Sequence, residues 1–197
     1  RSPWDEGIAA VDGNIGMDFP NYTAEENLGK QIFFGMDDPD ARGRCSACHM
    51  PNGAGPGGPP PGGMRENVAL FQTFRPTDNG LPDATDDGIG GVTMNANQGG
   101  VFKSSTLRNI AQTAPYMHDG SLQTLEEVVN FYNMGIQDTP NLDPILRTGG
   151  GPGGPGGGAP IQMNLTGPER AALVAFLETL TDETLATDER FSDPFDE

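Results

Sequence analysis

The chain has 197 residues, enough for one domain or a small domain with long loops. Its 11 Lys and Arg stand against 28 Asp and Glu, a formal net charge of −17. That balance argues against a nucleic-acid partner or an anionic membrane surface and makes a basic partner the electrostatic complement. No run of about 18 apolar residues is present, so no transmembrane helix is expected. No signal peptide is visible, and a chain that begins at Arg1 is expected to have been processed or trimmed. With 29 Gly, 18 Pro and 35% hydrophobic residues, a thin core must serve long irregular connections, and a large apolar group would enlarge it.

Residues 1–22 show no sustained period and are expected to form an extended arm, with Trp4 as its candidate anchor. Thr23-Ala24-Glu25-Glu26 reads as a capping box, and Leu28, Gln31, Ile32 and Phe33 follow at near-helical spacing, which predicts a helix over 23–35. Gly29 and Phe33 fall one turn apart and would let a second helix cross closely. Cys45-Ser46-Ala47-Cys48-His49 comes next, then a Gly/Pro-rich loop over 51–63. Residues 64–100 are poor in hydrophobics, and Asp83, Asp86 and Asp87 read as a solvated acidic loop because their spacing misses the EF-hand pattern. Thr124 to Glu127 opens another helix, with Leu125, Val128, Val129 and Tyr132 on one stripe and Gly135 as its stop. A second low-complexity loop covers 149–160. Thr166 with Glu169 then caps a helix whose stripe is Ala172, Leu173, Phe176, Leu177 and Leu180. Residues 183–197 form an acidic tail.

The chain's only two cysteines sit in C-x-x-C-H, the attachment motif of a c-type haem. The two thiols add across the haem vinyl groups, and the histidine that follows becomes the proximal iron ligand. A thioredoxin-type disulfide would want a βαβ context, which is absent. A zinc site would need two more Cys or His ligands, and only His118 remains. The expected architecture is therefore all-α: a cytochrome c-like domain over 23–182, three to four helices around one covalent haem c held by Cys45, Cys48 and His49. Covalent attachment implies export, to the periplasm or the cell exterior.

Phe102 to Asn109, the run Thr113-Ala114-Pro115-Tyr116-Met117-His118-Asp119-Gly120-Ser121, Thr124 to Val129, Asn141 to Pro144, and Leu173 to Asp182 form a further set of recognisable segments. They resemble the C-terminal, electron-delivering haem domain of bacterial dihaem cytochrome c peroxidases and their MauG-like relatives. The resemblance spans roughly 23–195, with Glu26 to Phe34 matching the family's opening helix. Enzymes of that family carry two haems in two domains, whereas this chain has one C-x-x-C-H preceded by 44 residues. The resemblance implies a distal ligand from the helix after the P-Y-x-H-D-G motif, at the position of Tyr132, where relatives carry Met or Tyr. It also implies that His118 lies close to the haem without ligating iron, bis-His ligation being the alternative. A calcium ion held partly by backbone carbonyls matching Thr113 and Pro115 is a further implication, its remaining ligand coming from the domain not matched here.

Met134 is the main rival to Tyr132, although it stands about 200° further round an ideal helix and would reach iron only if the helix ended before it. Met117 ranks third. A thioether would raise the haem potential and a phenolate would lower it. Arg108 and Lys103 are candidates for pairing with haem propionates. The resulting expectation is a one-electron carrier docking a basic redox partner. The alternatives are a haem subunit of a peroxidase or MauG-like enzyme whose second haem lies on another chain, and a component of a larger assembly joined through residues 1–22.

Overall fold

The computed structural model describes residues 1–36, 43, 45–51, 71–72, 76–82, 86–150 and 157–191. Most of the loop 51–63, Asp83, residues 151–156 and the last six residues of the acidic tail lie outside these.

Five α-helices are present among the described residues: α1 (Pro3–Ala10), α2 (Ala24–Phe34), α3 (Ile89–Thr93), α4 (Leu125–Asn130) and α5 (Gly167–Glu178). They are joined by short tight turns and by isolated bridges, with no extended strand among the described residues. Each of the three longer predicted helices begins at its capping box. Thr23 Oγ1 accepts from Glu26 N at 3.1 Å, Thr124 Oγ1 accepts from Glu127 N at 3.2 Å, and Glu169 accepts from Thr166 N at 2.7 Å. These bonds satisfy amides that the first helical turn leaves without partners. α2 ends where Gly35 turns into the left-handed region at φ 65°.

α2 and α5 cross at Gly29. A methyl group built there would lie 1.9 Å from the Ala172 carbonyl oxygen and 2.8 Å from Phe176 Cβ, so only hydrogen fits. α4 does not run on as an α-helix to Gly135. It opens at Phe131 into a wider π-helical turn, Phe131–Gly135, that carries Tyr132.

Residues 1–22 depart from the extended arm. Ser2 N and Oγ both donate to Asp5 Oδ2, at 3.0 and 3.1 Å, and close the first turn of α1. Trp4, 1% exposed, then enters an aromatic cluster with ring centroids 4.8 Å from Phe71, 5.2 Å from Phe19 and 5.9 Å from Phe176. The connection to α2 is held from below. Asn27 exchanges two hydrogen bonds with the Phe19 backbone, at 2.8 and 3.1 Å, and Lys30 Nζ donates to the carbonyls of Ile15 and Met17. An eight-residue helix is too short to be stable alone, so its order comes from docking. Residues 1–22 are thus ordered against the chain's own core.

Candidate haem site

The C-x-x-C-H segment folds into a tight helical turn, Cys45–Ala47. Cys48 N and His49 N both donate to the Cys45 carbonyl, at 3.1 and 2.9 Å, which brings the cysteines and the histidine to one wall of a cavity of about 560 Å³. His49 Nδ1 bonds the Phe71 carbonyl at 3.0 Å. That carbonyl can only accept, so Nδ1 carries the proton and Nε2 is left with its lone pair. Burial pushes the imidazole pKa down, against the pull of the Phe71 and Ser105 backbone, and favours the neutral ring that an iron ligand needs.

Much of the remaining lining is apolar, with Leu107, Ile110, Val128, Val129, Leu173 and Leu177 among it. α4 and α5 supply most of these from the same stripes that set the helical period. Two thiols on one turn, an oriented imidazole and an apolar chamber of this size are the donor set and shape that a c-type haem requires. The residues present fit that group.

The candidate distal donors separate. Tyr132 lines the cavity, where its hydroxyl accepts from Asn79 Nδ2 at 3.1 Å. Burial holds the phenol up at about 12, the Asn79 hydrogen bond pulling the other way. Met117 also lines the cavity, its backbone held in the left-handed region at φ 70°. Met134 is 64% exposed and does not line it. The π-helical turn continues through Met134 instead of ending before it, and so carries its thioether outward.

The expected propionate partners also separate. Lys103 is exposed at the cavity's edge. Arg108 borders the cavity too, but its guanidinium turns to α1, with Nη2 2.5 Å from Asp5 Oδ1 and Nη1 2.6 Å from Ser2 Oγ. His118 is exposed and stacks on Phe102, ring centroids 3.7 Å apart and planes 13° from parallel. Thr113 and Pro115 lie at the cavity edge as well. Among the described residues no three His, Cys, Asp or Glu side chains gather as a metal cluster.

Asn79 is the site residue that sequence reasoning missed. It sits in a loop without hydrophobic period, and its partner Tyr132 lies 53 positions away.

No family model matches the chain. Among curated proteins it is similar to the cytochrome-c peroxidase IdrP2 of Denitromonas iodatirespirans, 30% identical over 189 residues, covering 90% of this chain and 45% of that protein. It is also similar to the methylamine utilization protein MauG of Methylorubrum extorquens, 38% identical over 85 residues, covering 43% of this chain and 20% of that protein. Among solved structures, a MauG-like protein associated with microbial copper homeostasis superposes with a TM-score of 0.65 at 29% identity, over 99% of this chain and 52% of that one. A variant of the dihaem peroxidase BthA from Burkholderia thailandensis superposes with a TM-score of 0.62 at 21% identity, a likeness of fold. The chain spans about half the length of these relatives where they match it most fully. Over most of its own length, it is a homologue of the dihaem cytochrome c peroxidase and MauG family.

Proposed function

We propose that this chain is a c-type haem domain that passes single electrons between redox partners and by itself turns over no peroxide. The observation that carries this reading is one cavity lined by both His49 and Tyr132, each of which could give the iron a protein donor. Haem, when bound, supplies reversible one-electron chemistry.

The chain's residues would then divide the work. Cys45 and Cys48 would anchor the haem through thioether bonds, and His49 Nε2 would ligate its iron, the Phe71 carbonyl fixing the ring. Tyr132 would supply the second protein ligand, with Met117, which lines the same cavity, as its rival. Lys103 is the nearer candidate for a propionate, because Arg108 already pairs with Asp5. The apolar walls exclude water and keep the redox change from being coupled to large solvent rearrangement. Covalent haem attachment would call for export from the cytoplasm, and no helix among the described residues is long and apolar enough to cross a membrane. With a formal net charge of −17, a basic redox partner is the one it would dock.

A second reading has its own support, since the chain spans about half of its relatives. It would then be the electron-delivering half of a peroxidase or MauG-like protein, with another haem on a further domain or chain. The calcium ion implied at Thr113 and Pro115 belongs to that reading, in which the other domain completes its ligands.

Optical and EPR spectra of the ferric protein, taken with and without hydrogen peroxide, test the carrier reading. A low-spin six-coordinate spectrum unchanged by peroxide is expected from this chain alone. A high-spin spectrum that converts to a ferryl species would overturn the carrier reading.

A further inference from the structure

We infer that Asn79 is a positioning residue that selects the distal iron donor, because one side-chain amide holds Tyr132 and Met117 together. The inference rests on the reading that Tyr132 ligates the haem iron.

Asn79 cannot present either end of its amide at will. Its Oδ1 accepts from Leu81 N at 3.1 Å, an Asx-turn that commits the oxygen to the backbone. The amino end is what remains for the cavity, and it carries two N–H donors and no acceptor. Nδ2 lies 3.1 Å from Tyr132 Oη and 3.6 Å from Met117 Sδ. Two donors thus meet two acceptors, and both acceptors are residues able to ligate iron.

The loop that carries Asn79 is tied down on both sides. Thr77 and Phe102 exchange two backbone hydrogen bonds, at 2.8 and 3.1 Å. Gly80 O accepts from Gln137 N at 2.9 Å, just beyond the turn that carries Tyr132, and Asp78 O accepts from Asp143 N at 3.0 Å. The buried Asp78 carboxylate takes the Gly80 N–H at 2.8 Å. Gly80 has φ 78°, and a Cβ there would sit 2.7 Å from Ile136 Cγ2 and 2.8 Å from the Gln137 carbonyl. The close approach that delivers Asn79 to Tyr132 therefore depends on glycine. Met117 is placed just as firmly, in the left-handed region beside the Tyr116 N to Leu122 O bond of 2.7 Å.

Energetics make this shared amide selective. A hydrogen bond to an oxygen that carries negative charge is about twice as strong as one between neutral groups, whereas a thioether sulfur is a weak acceptor. On iron, Tyr132 would present a charged oxygen to Asn79 and Met117 a neutral sulfur with a lone pair already engaged. The amide therefore favours oxygen ligation and keeps the sulfur in reserve.

Three variants of the haem-loaded chain test this by ferric optical and EPR spectra and by reduction potential. Asn79→Leu removes both donors at similar volume. Asn79→Asp keeps the turn to Leu81 N but offers Tyr132 no N–H, which guards against a mere loss of folding. Both are expected to lose the tyrosinate-to-iron charge-transfer band, gain the far-red band of methionine on ferric iron, and show a raised potential. Adding Met117→Leu to Asn79→Leu should abolish the far-red band and open the iron to azide. Wild-type spectra and potential in either Asn79 variant would overturn the role of Asn79. Tyr132→Phe tests the reading beneath it. If that variant leaves the spectrum unchanged, Tyr132 is no ligand and the selection by Asn79 falls with it. A changed Tyr132→Phe spectrum beside unchanged Asn79 variants would overturn Asn79 alone.

Discussion

At the scale of single residues, Arg108 ties α1 to the wall of the haem cavity. Its guanidinium donates to both Asp5 carboxylate oxygens and to Ser2 Oγ, and it sits 5.9 Å from the Phe71 ring, whose backbone carbonyl orients His49. Burial alone would raise the Asp5 pKa, but hydrogen bonds from Arg108 and Ser2 outweigh it and hold the carboxyl below its ordinary value. A depressed folded-state pKa contributes stability above the unfolded value of about 3.9 and loses it as pH falls through the folded value. Asp5→Asn should therefore destabilise the protein by about 1–2 kcal/mol near pH 6, the pair being only partly exposed, with side chains at 21% and 30%. The difference from wild type should shrink steadily below about pH 4. Urea unfolding across that pH range measures it, and a difference independent of pH would mean that the ion pair contributes nothing. Because the same guanidinium lies beside Phe71, Arg108→Ala should loosen α1 and the His49 support together.

At the scale of elements, the crossing of α2 and α5 sets opposing effects against each other at Gly29. In an ordinary helix interior, Gly to Ala gains about 0.5–1 kcal/mol from a stiffer unfolded chain and better helix propensity. Here the added methyl would overlap the Ala172 carbonyl, a backbone group that moves only if the helices separate. Overpacking of that kind costs about 1–3 kcal/mol or more, so the steric effect wins. Gly29→Ala is expected to lower Tm by several degrees, roughly 2–4 °C per kcal/mol for a domain of this size. A variant as stable as wild type would show that the helices do not meet this closely in solution.

What could be read from residues follows the same physical division. The starts of α2, α4 and α5 were legible because a capping box is local: Thr23 with Glu26, Thr124 with Glu127 and Thr166 with Glu169 each act within one turn. The Cys45, Cys48 and His49 cluster was legible because a single turn makes it. α1 was not, since its order comes from Trp4 entering a cluster assembled from Phe19, Phe34, Phe71 and Phe176. Nor was the widening of α4 into a π-helical turn, although the stripe of Leu125, Val128, Val129 and Tyr132 already pointed Tyr132 at the cavity and Met134 away from it. Asn79 carries no local mark, because its role exists only once two distant loops meet.

At the scale of the whole molecule, several of the described basic side chains are engaged within the chain itself. Lys30 is fully buried against the Ile15 and Met17 carbonyls, Arg108 is committed to Asp5, Arg147 lies 2.7 Å from Asp138, and Arg190 pairs with Asp188. The formal net charge of −17 therefore acts on a partner as a broad negative field, not as a few discrete ion pairs. Such a field steers encounter more than it tightens the final complex, and it is screened beyond about 10 Å at 0.1 M salt. Reduction of a basic redox protein by the ferrous, haem-loaded chain should thus slow by about tenfold or more between about 10 and 200 mM salt. The same experiment with an acidic acceptor should show the opposite slope, because salt then screens repulsion. Stopped-flow rates across that series measure both, and rates indifferent to salt with the basic acceptor would place electron exit away from this field. The slope also bears on the peroxidase-like reading. In that reading the haem would pass its electron to a haem on a neighbouring domain of its own protein, at a rate that bulk salt leaves nearly unchanged, whereas a free carrier meets its acceptor only by diffusion through that field.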